Sequence, residues 1–380
     1  MHYLKKIVKI FLNFINELIN INNTFSRINA NKNLSKLFNA KSKNFNNNNY
    51  IICDALWDNP HHWLRLAIIG PIIEDYFKAN LAGIYIKGIN KKVLNTFKSF
   101  KLNKYFEVEF RKNDKQFSQA REISKTVKTA EDIFKLKLPY DYPPQFLYDS
   151  ILKKEMIGTI DIQKINLNFY LNELICYLDE YNKLFKKYAF KAIVISHPVH
   201  FRFSTLVCIA LKYKIPVYII NYINEFISIR ELNSPSDWTN GSQEKPELDE
   251  VKKLSEEKKD YLEALGKNYL DDLRTAKKGQ ISITGTFKKS KNKDFKKSEF
   301  LKSINLNPHK TTGIIMTGCW PDFPNISPPT WYLDYVDWFK NTLKIINNLD
   351  QYNWIIKPHP AEYMYGSKTK AIKFLKNNKY

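Results

Sequence analysis

KAIVISHPVHFRFSTLVCIALKYKIPVYIIN, residues 191–221, holds two short apolar runs on either side of one helical pattern. Ala192–Ser196 and Val217–Asn221 read as strands, because they are brief, apolar and bounded by breakers. Thr205–Tyr213 between them has helical spacing, and its exit through Ile215 and Pro216 leads straight into the second run. Strand, helix and strand in that order form a βαβ unit, the building block of a sheet with parallel strands. The same alternation extends outward. Tyr50–Ala55 and Leu81–Ile86 precede the unit as further strand candidates, and Gly313–Thr317 and Trp354–Lys357 follow it.

The stretch from Ser234 to Lys278 interrupts this series. It is polar, rich in Glu and Lys, and carries Leu248, Val251, Leu254, Tyr261, Leu262 and Leu265 at helical spacing, so it reads as loop and helices on a rim or between lobes. Gln280–Thr284 begins a second series of strands. The fold class is α/β, with two Rossmann-like lobes built on parallel sheets. Residues 1–49 form an N-terminal helix and linker, 50–275 the first lobe and 276–380 the second.

Composition narrows the function classes. The chain has 380 residues, 44% of them hydrophobic and 14% aromatic, which excludes disorder over most of its length and allows a substantial core. Its four cysteines show no CxxC pairing, so neither a disulfide framework nor a thiolate zinc site is indicated, and a reducing, cytoplasmic setting fits. The formal charge of +22 points toward polyanions, but it comes from 53 Lys against 7 Arg. Arginine is the residue suited to bidentate phosphate contacts, and with Asn and Ile also abundant the excess reads as codon bias. No specific nucleic-acid binding is expected.

Met1–Ile19 places Leu4, Ile7, Val8, Phe11, Ile15, Leu18 and Ile19 on one helical face, with Lys5, Lys6 and Lys9 beside it. Lysines break the apolar runs below the length of a membrane span. Such a helix either packs on the protein's own core or lies on the anionic inner surface of a membrane as a peripheral anchor. The Asn- and Lys-rich stretch Asn31–Asn49 is expected to be a poorly ordered linker.

In open α/β sheets ligands bind beyond the carboxyl ends of the strands, so the polar residues just after each run are the candidates. After the first come Asp58, His61, His62 and Arg65, a carboxylate, two imidazoles and a guanidinium that can supply a base and an anion contact or simply cap and pack a helix. After the third comes His197, fixed by Pro198; with His200 it makes too few ligands for a metal. After Gly313–Thr317 stand Thr317, Gly318 and Asp322, where small residues allow a phosphate or sugar to approach the backbone. Cys319 lies among them with no histidine near in sequence. Neither GxxxxGK[ST] nor GxGxxG occurs, which removes the usual ATP and dinucleotide loops. After the last strand, Lys357, His359 and Glu362 surround two prolines that fix the direction of the histidine. A preorganised ammonium and imidazole at that point suit a leaving phosphate.

WIIKPHPAE, residues 354–362, resembles the Lys-Pro-His-Pro element of bacterial capsular and surface polysaccharide glycosyltransferases, the group that includes the Kdo transferases. DALWDNPHHWLRL, VISHPVHFRFSTLVCIALKYKIPVYIIN and TGCWPDFP with YLDYVDWFKNTL are similar to the same group, in the same order, over residues 50–370. The resemblance implies a GT-B-like enzyme with two lobes facing across a cleft. It would take a nucleotide sugar, CMP-Kdo foremost, in the second lobe, and a glycan or glycolipid acceptor. By that resemblance Lys357 and His359 meet the nucleotide phosphate, Glu362 recognises ribose or base, and Thr317, Gly318 and Asp322 complete the donor site. Asp58 or His197 would deprotonate the acceptor, held by His61, His62 and Arg65. No cofactor and no metal is implied, since fixed cations can neutralise the leaving nucleotide. Fewer residues follow Gln280 than a full lobe of this fold requires, so the second lobe is expected to be incomplete.

Two other readings fit the same residues. A noncatalytic binder of polyanions or membrane surfaces would lose its ligand at modest salt. A sugar-nucleotide epimerase of the same architecture would transfer nothing to an acceptor.

Overall fold

The computed structural model describes residues 45–57, 60–88, 94, 97–98, 100, 102, 104–223, 226–239, 248–274, 296–325 and 331–377. In chain order the first part contains β1 (Asn49–Asp54), α1 (Pro60–Phe77), β2 (Asn80–Ile86), β3 (Lys104–Val108), α2 (Asp114–Lys125), α3 (Pro144–Glu155) and α4 (Leu167–Lys187). It continues with β4 (Ala189–Ile195), α5 (Phe201–Lys212), β5 (Val217–Ile223) and β6 (Phe226–Leu232). Three helices follow, α6 (Pro235–Thr239), α7 (Leu248–Lys252) and α8 (Glu256–Arg274). The last part contains α9 (Lys297–Ser303), β7 (Thr312–Met316), α10 (Tyr335–Ile346), β8 (Asn353–Lys357), α11 (Ala361–Met364) and α12 (Ala371–Asn377).

The first sheet has the order β3-β2-β1-β4-β5-β6 and is parallel except for β6, which runs antiparallel to β5. Ile52 of β1 stands between Ala82 of β2 and Ile193 of β4. Successive residues of a strand face opposite sides, and here both sides are covered. Ile52 and Ile193 pack with Leu147 and Ile151 of α3, Leu174 and Leu178 of α4, and Leu206 of α5. Ile51, Cys53 and Val194 pack on the other face with Leu66, Ala67 and Ile73 of α1. Burial of each large apolar side chain contributes about 1.5–3 kcal/mol, so two covered faces stabilise this sheet far more than one would. The result is a Rossmann-like α/β sheet flanked by helices.

The two strands of the quoted βαβ unit begin and end within a few residues of their expected limits. Its helix begins four residues earlier than the pattern suggests, at Phe201, because the His200 carbonyl already accepts the Phe203 and Ser204 amides at 3.0 and 2.7 Å. The expected linker differs more. Its last residues belong to the fold: the Asn47 side chain donates to the Lys78 carbonyl at 2.8 Å, Asn80 donates to the Asn47 carbonyl at 2.6 Å, and β1 starts at Asn49. Met1–Ile19 and Gln280–Thr284 lie outside the described residues.

β7 and β8 form a second, parallel sheet of two strands, with Ile315 beside Ile356. Ile315, Trp320, Val336, Phe339, Leu343 and Ala371 build its own small core. Gly313 is required there, because a Cβ would lie 2.3 Å from the Trp354 indole. Among the described residues no helix is long and apolar enough to cross a membrane.

Candidate functional site

β1 and β4 are neighbours, but the chain leaves β1 toward β2 and leaves β4 toward β5 on the opposite side. The connections diverge there and open a crevice at the carboxyl ends, the topological switch point of a doubly wound sheet. Asp54 ends β1 inside it and is 3% exposed. Its carboxylate accepts from the Ser196 amide at 2.7 Å and the Ser196 hydroxyl at 3.2 Å, which ties the two strand ends together. Burial pushes the Asp54 carboxyl up to about 6, against the lowering influence of the Ser196 bonds and the nearby Arg202 charge.

Beyond Ser196 the chain passes through His197 to His200, whose φ of 68° and ψ of 148° lie in a region that suits glycine alone. The His200 carbonyl is held by three donors, the amides of Phe203 and Ser204 and the Ser204 hydroxyl at 2.6 Å. Ser204 is held in turn by the buried Tyr142 hydroxyl at 2.7 Å. The two imidazoles sit 5.3 Å apart, hemmed in by Trp57, Phe203 and Phe323. Burial lowers His197 to about 4, with Lys153 and Arg202 adding to the effect and Asp322 opposing it. Burial lowers His200 further still, helped by the His197, Lys153 and Arg202 charges. Both rings are neutral at pH 7.

The loop after β7 approaches this crevice from the second sheet. Phe323, itself at a positive φ of 54°, meets the His200 ring edge-on at 4.3 Å. Asp322 forms an ion pair with Lys153 of α3 at 2.9 Å. Asn325 donates its amide and its side-chain NH2 to Asp149 at 3.0 and 2.9 Å, and the Tyr148 hydroxyl donates to Asp334 at 2.6 Å. Farther along, the Gly158 amide reaches the Thr369 hydroxyl at 2.9 Å, and a Cβ on Gly158 would lie 2.6 Å from Val336 Cγ2. The second sheet is thereby fastened to α3 and to the segment after it.

The residues around β8 divide. Lys357 and His359 are exposed, and the His359 amide donates to the Thr317 hydroxyl at 3.2 Å. The Thr317 amide donates to the Lys357 carbonyl at 3.1 Å, so the carboxyl ends of β7 and β8 form one connected turn. Glu362, expected at ribose or base, corrects the reading: it is fully buried, accepts from Trp320 Nε1 and Thr317 Oγ1, and receives the Ala371 amide at the start of α12 at 3.3 Å. With the side chain turned into the small core, its carboxylate braces the turn instead of meeting a ligand. Burial also raises the Cys319 thiol to about 11, which keeps it protonated and unreactive at neutral pH. Gly318 lies against the Tyr335 ring, 3.3 Å from where a Cβ would stand.

Asp58 lies outside the described residues. His61, His62 and Arg65 fall in the first turns of α1, with side chains outside the described part. The structure thus brings His197 together with Asp322 and ties His359 to Thr317. The residues that sequence reasoning missed are Lys153, Arg202 and Phe323. Arg202 carried a signal, being one of seven arginines and two residues after the HPVH turn, whereas Lys153 is one lysine among 53.

A cavity of about 320 Å³ opens between α3, α4 and the first turn of α5, beside the two histidines. Lys153, Lys154 and Arg202 supply its positive charge, Glu173 its acid, and Trp57 and Tyr177 its aromatic walls. Among the described residues no three His, Cys, Asp or Glu side chains gather as a metal site. Such an arrangement suits the binding of a small anionic ligand at the carboxyl ends of β1 and β4. Compared with protein-family models, with curated proteins and with solved structures, the chain matches none.

Proposed function

We propose that this protein is a glycosyltransferase of the GT-B-like kind, moving a sugar from a nucleotide-sugar donor to a surface or capsular glycan. The observation that carries the reading is the packing of the loop after β7 on the loop after β4, through Phe323 with His200 and Asp322 with Lys153. Carboxyl ends of two parallel sheets border one site, which is where an α/β enzyme with two substrates would hold both. On this reading the donor's phosphates meet Lys357 and His359, exposed at the end of β8. A preorganised ammonium and imidazole there stabilise the departing nucleotide without reorganising as charge develops. His197, neutral at pH 7, takes the proton of the acceptor hydroxyl, and Asp54 with Ser196 fixes the strand end that carries it. Its low basicity suits a transfer in which the proton leaves late, after the bond to the nucleotide has weakened.

The test is release of nucleotide from a panel of nucleotide sugars, CMP-Kdo first, with a capsular oligosaccharide as acceptor. The intact chain should turn over one donor, and His359→Ala should lose at least tenfold in kcat/KM. Equal rates in both would remove His359 from the site, and no turnover of any donor would remove the function.

A further inference from the structure

The cavity beside the histidines contains a positive charge that its own walls leave without a counter-ion. Arg202 is half-buried and gives one N–H to the Leu56 carbonyl at 2.9 Å. Among the described residues its guanidinium forms no ion pair. Asp54 feels that charge, but its carboxylate is occupied by the Ser196 amide and hydroxyl. The other two cations are matched: Lys154 pairs with Glu173 inside the cavity, and Lys153 pairs with Asp322 of the loop from the second sheet. A half-buried guanidinium with free donors is an unfavourable arrangement until an anion meets it, and its planar fork fits a carboxylate or a phosphate.

A second observation lies in the same cavity. Trp57, 38% exposed, offers an apolar face at the same wall. A volume of about 320 Å³ accommodates a monosaccharide.

The geometry points to this cavity as the binding site of an anionic sugar, one that carries a phosphate or a carboxylate. The charged group meets Arg202, with Lys153 on the same wall beside it, and the ring lies against Trp57. The inference rests on the transferase reading only in making this sugar the charged end of the acceptor; binding itself needs no turnover.

Calorimetric titration of the full chain with glucose 6-phosphate, glucuronate and glucose tests it. At least one anionic sugar should bind saturably and glucose should not, and whichever anion binds tells phosphate from carboxylate recognition. Lys153→Gln and Arg202→Gln should each weaken that binding at least tenfold, while Lys344→Gln on α10 leaves it unchanged. Lys153 is half-buried on α3 and pairs with Asp322 of the second sheet, so an unaltered melting temperature is required of its variant before the loss of binding is read. Failure of both anionic sugars to bind, or undiminished binding in both variants, overturns the site. Donor turnover without such binding would sink the site and spare the transferase, and cavity-dependent binding without turnover would do the reverse.

Discussion

Replacing His200 by glycine should leave the protein more stable than replacing it by alanine, the reverse of the order found at most positions. Both substitutions remove the imidazole, its edge-on contact with Phe323 at 4.3 Å and its approach to His197, so those losses cancel in the comparison. What remains is the backbone. A φ of 68° with ψ of 148° costs a residue with a Cβ about 1–3 kcal/mol, and glycine almost nothing. Glycine loses more conformational freedom on folding, by about 0.5–1 kcal/mol. The difference favours glycine by about 1 kcal/mol at the middle of both ranges and by about 2.5 kcal/mol at most. The conformation cannot relax cheaply in the alanine variant, because the residue-200 carbonyl holds the start of α5 through three donors. Urea unfolding of both variants, followed by far-ultraviolet circular dichroism at one pH, gives the difference from the two midpoints at a common slope. An alanine variant as stable as the glycine variant, or more so, would refute the argument that this turn is held under strain.

Asp54 predicts a pH dependence. Its folded value of about 6 lies above the ordinary 3.8, so its contribution to stability is fully present below pH 4 and is lost as pH rises through 6. Asp54→Asn keeps an acceptor for the Ser196 amide and does not ionise. It should gain on the parent by up to about 3 kcal/mol between pH 4 and pH 8, and a constant difference across that range in urea midpoints would contradict the assignment. Two glycines should respond in opposite directions. Gly158→Ala forces a Cβ within 2.6 Å of Val336 and 3.0 Å of Trp320, where the second sheet is fastened, and should destabilise by about 1–3 kcal/mol and speed proteolysis of residues 317–325. Gly266→Ala on α8 meets nothing within 4 Å and should raise the stability of that helix by about 0.5–1 kcal/mol, read from its amide exchange.

How much could be read in advance depended on burial. Residues 50–53 of β1, 192–195 of β4 and 217–220 of β5 lie inside a sheet covered on both faces, so they appear in the sequence as short apolar runs. β3 lies at the edge and is only five residues long, opened by exposed Lys104 and interrupted by exposed Glu107, so no apolar run marks it in the sequence. Glu362 shows the same limit at the site. Its place after a Lys-Pro-His-Pro turn says nothing about rotation, and only the packed core shows the carboxylate aimed at Trp320 and the Ala371 amide.

The chain by itself determined that there are parallel strands, where most of them stop, and which polar groups follow them, because hydrophobic periodicity and proline act over a few neighbours. Tertiary structure decided which of those strand ends meet. Asp54 reaches Ser196 across 142 residues, and Lys153 reaches Asp322 across 169. Such pairs are set by the order of strands in the sheet and by the docking of one sheet's loop on another's helix, and no local pattern encodes either.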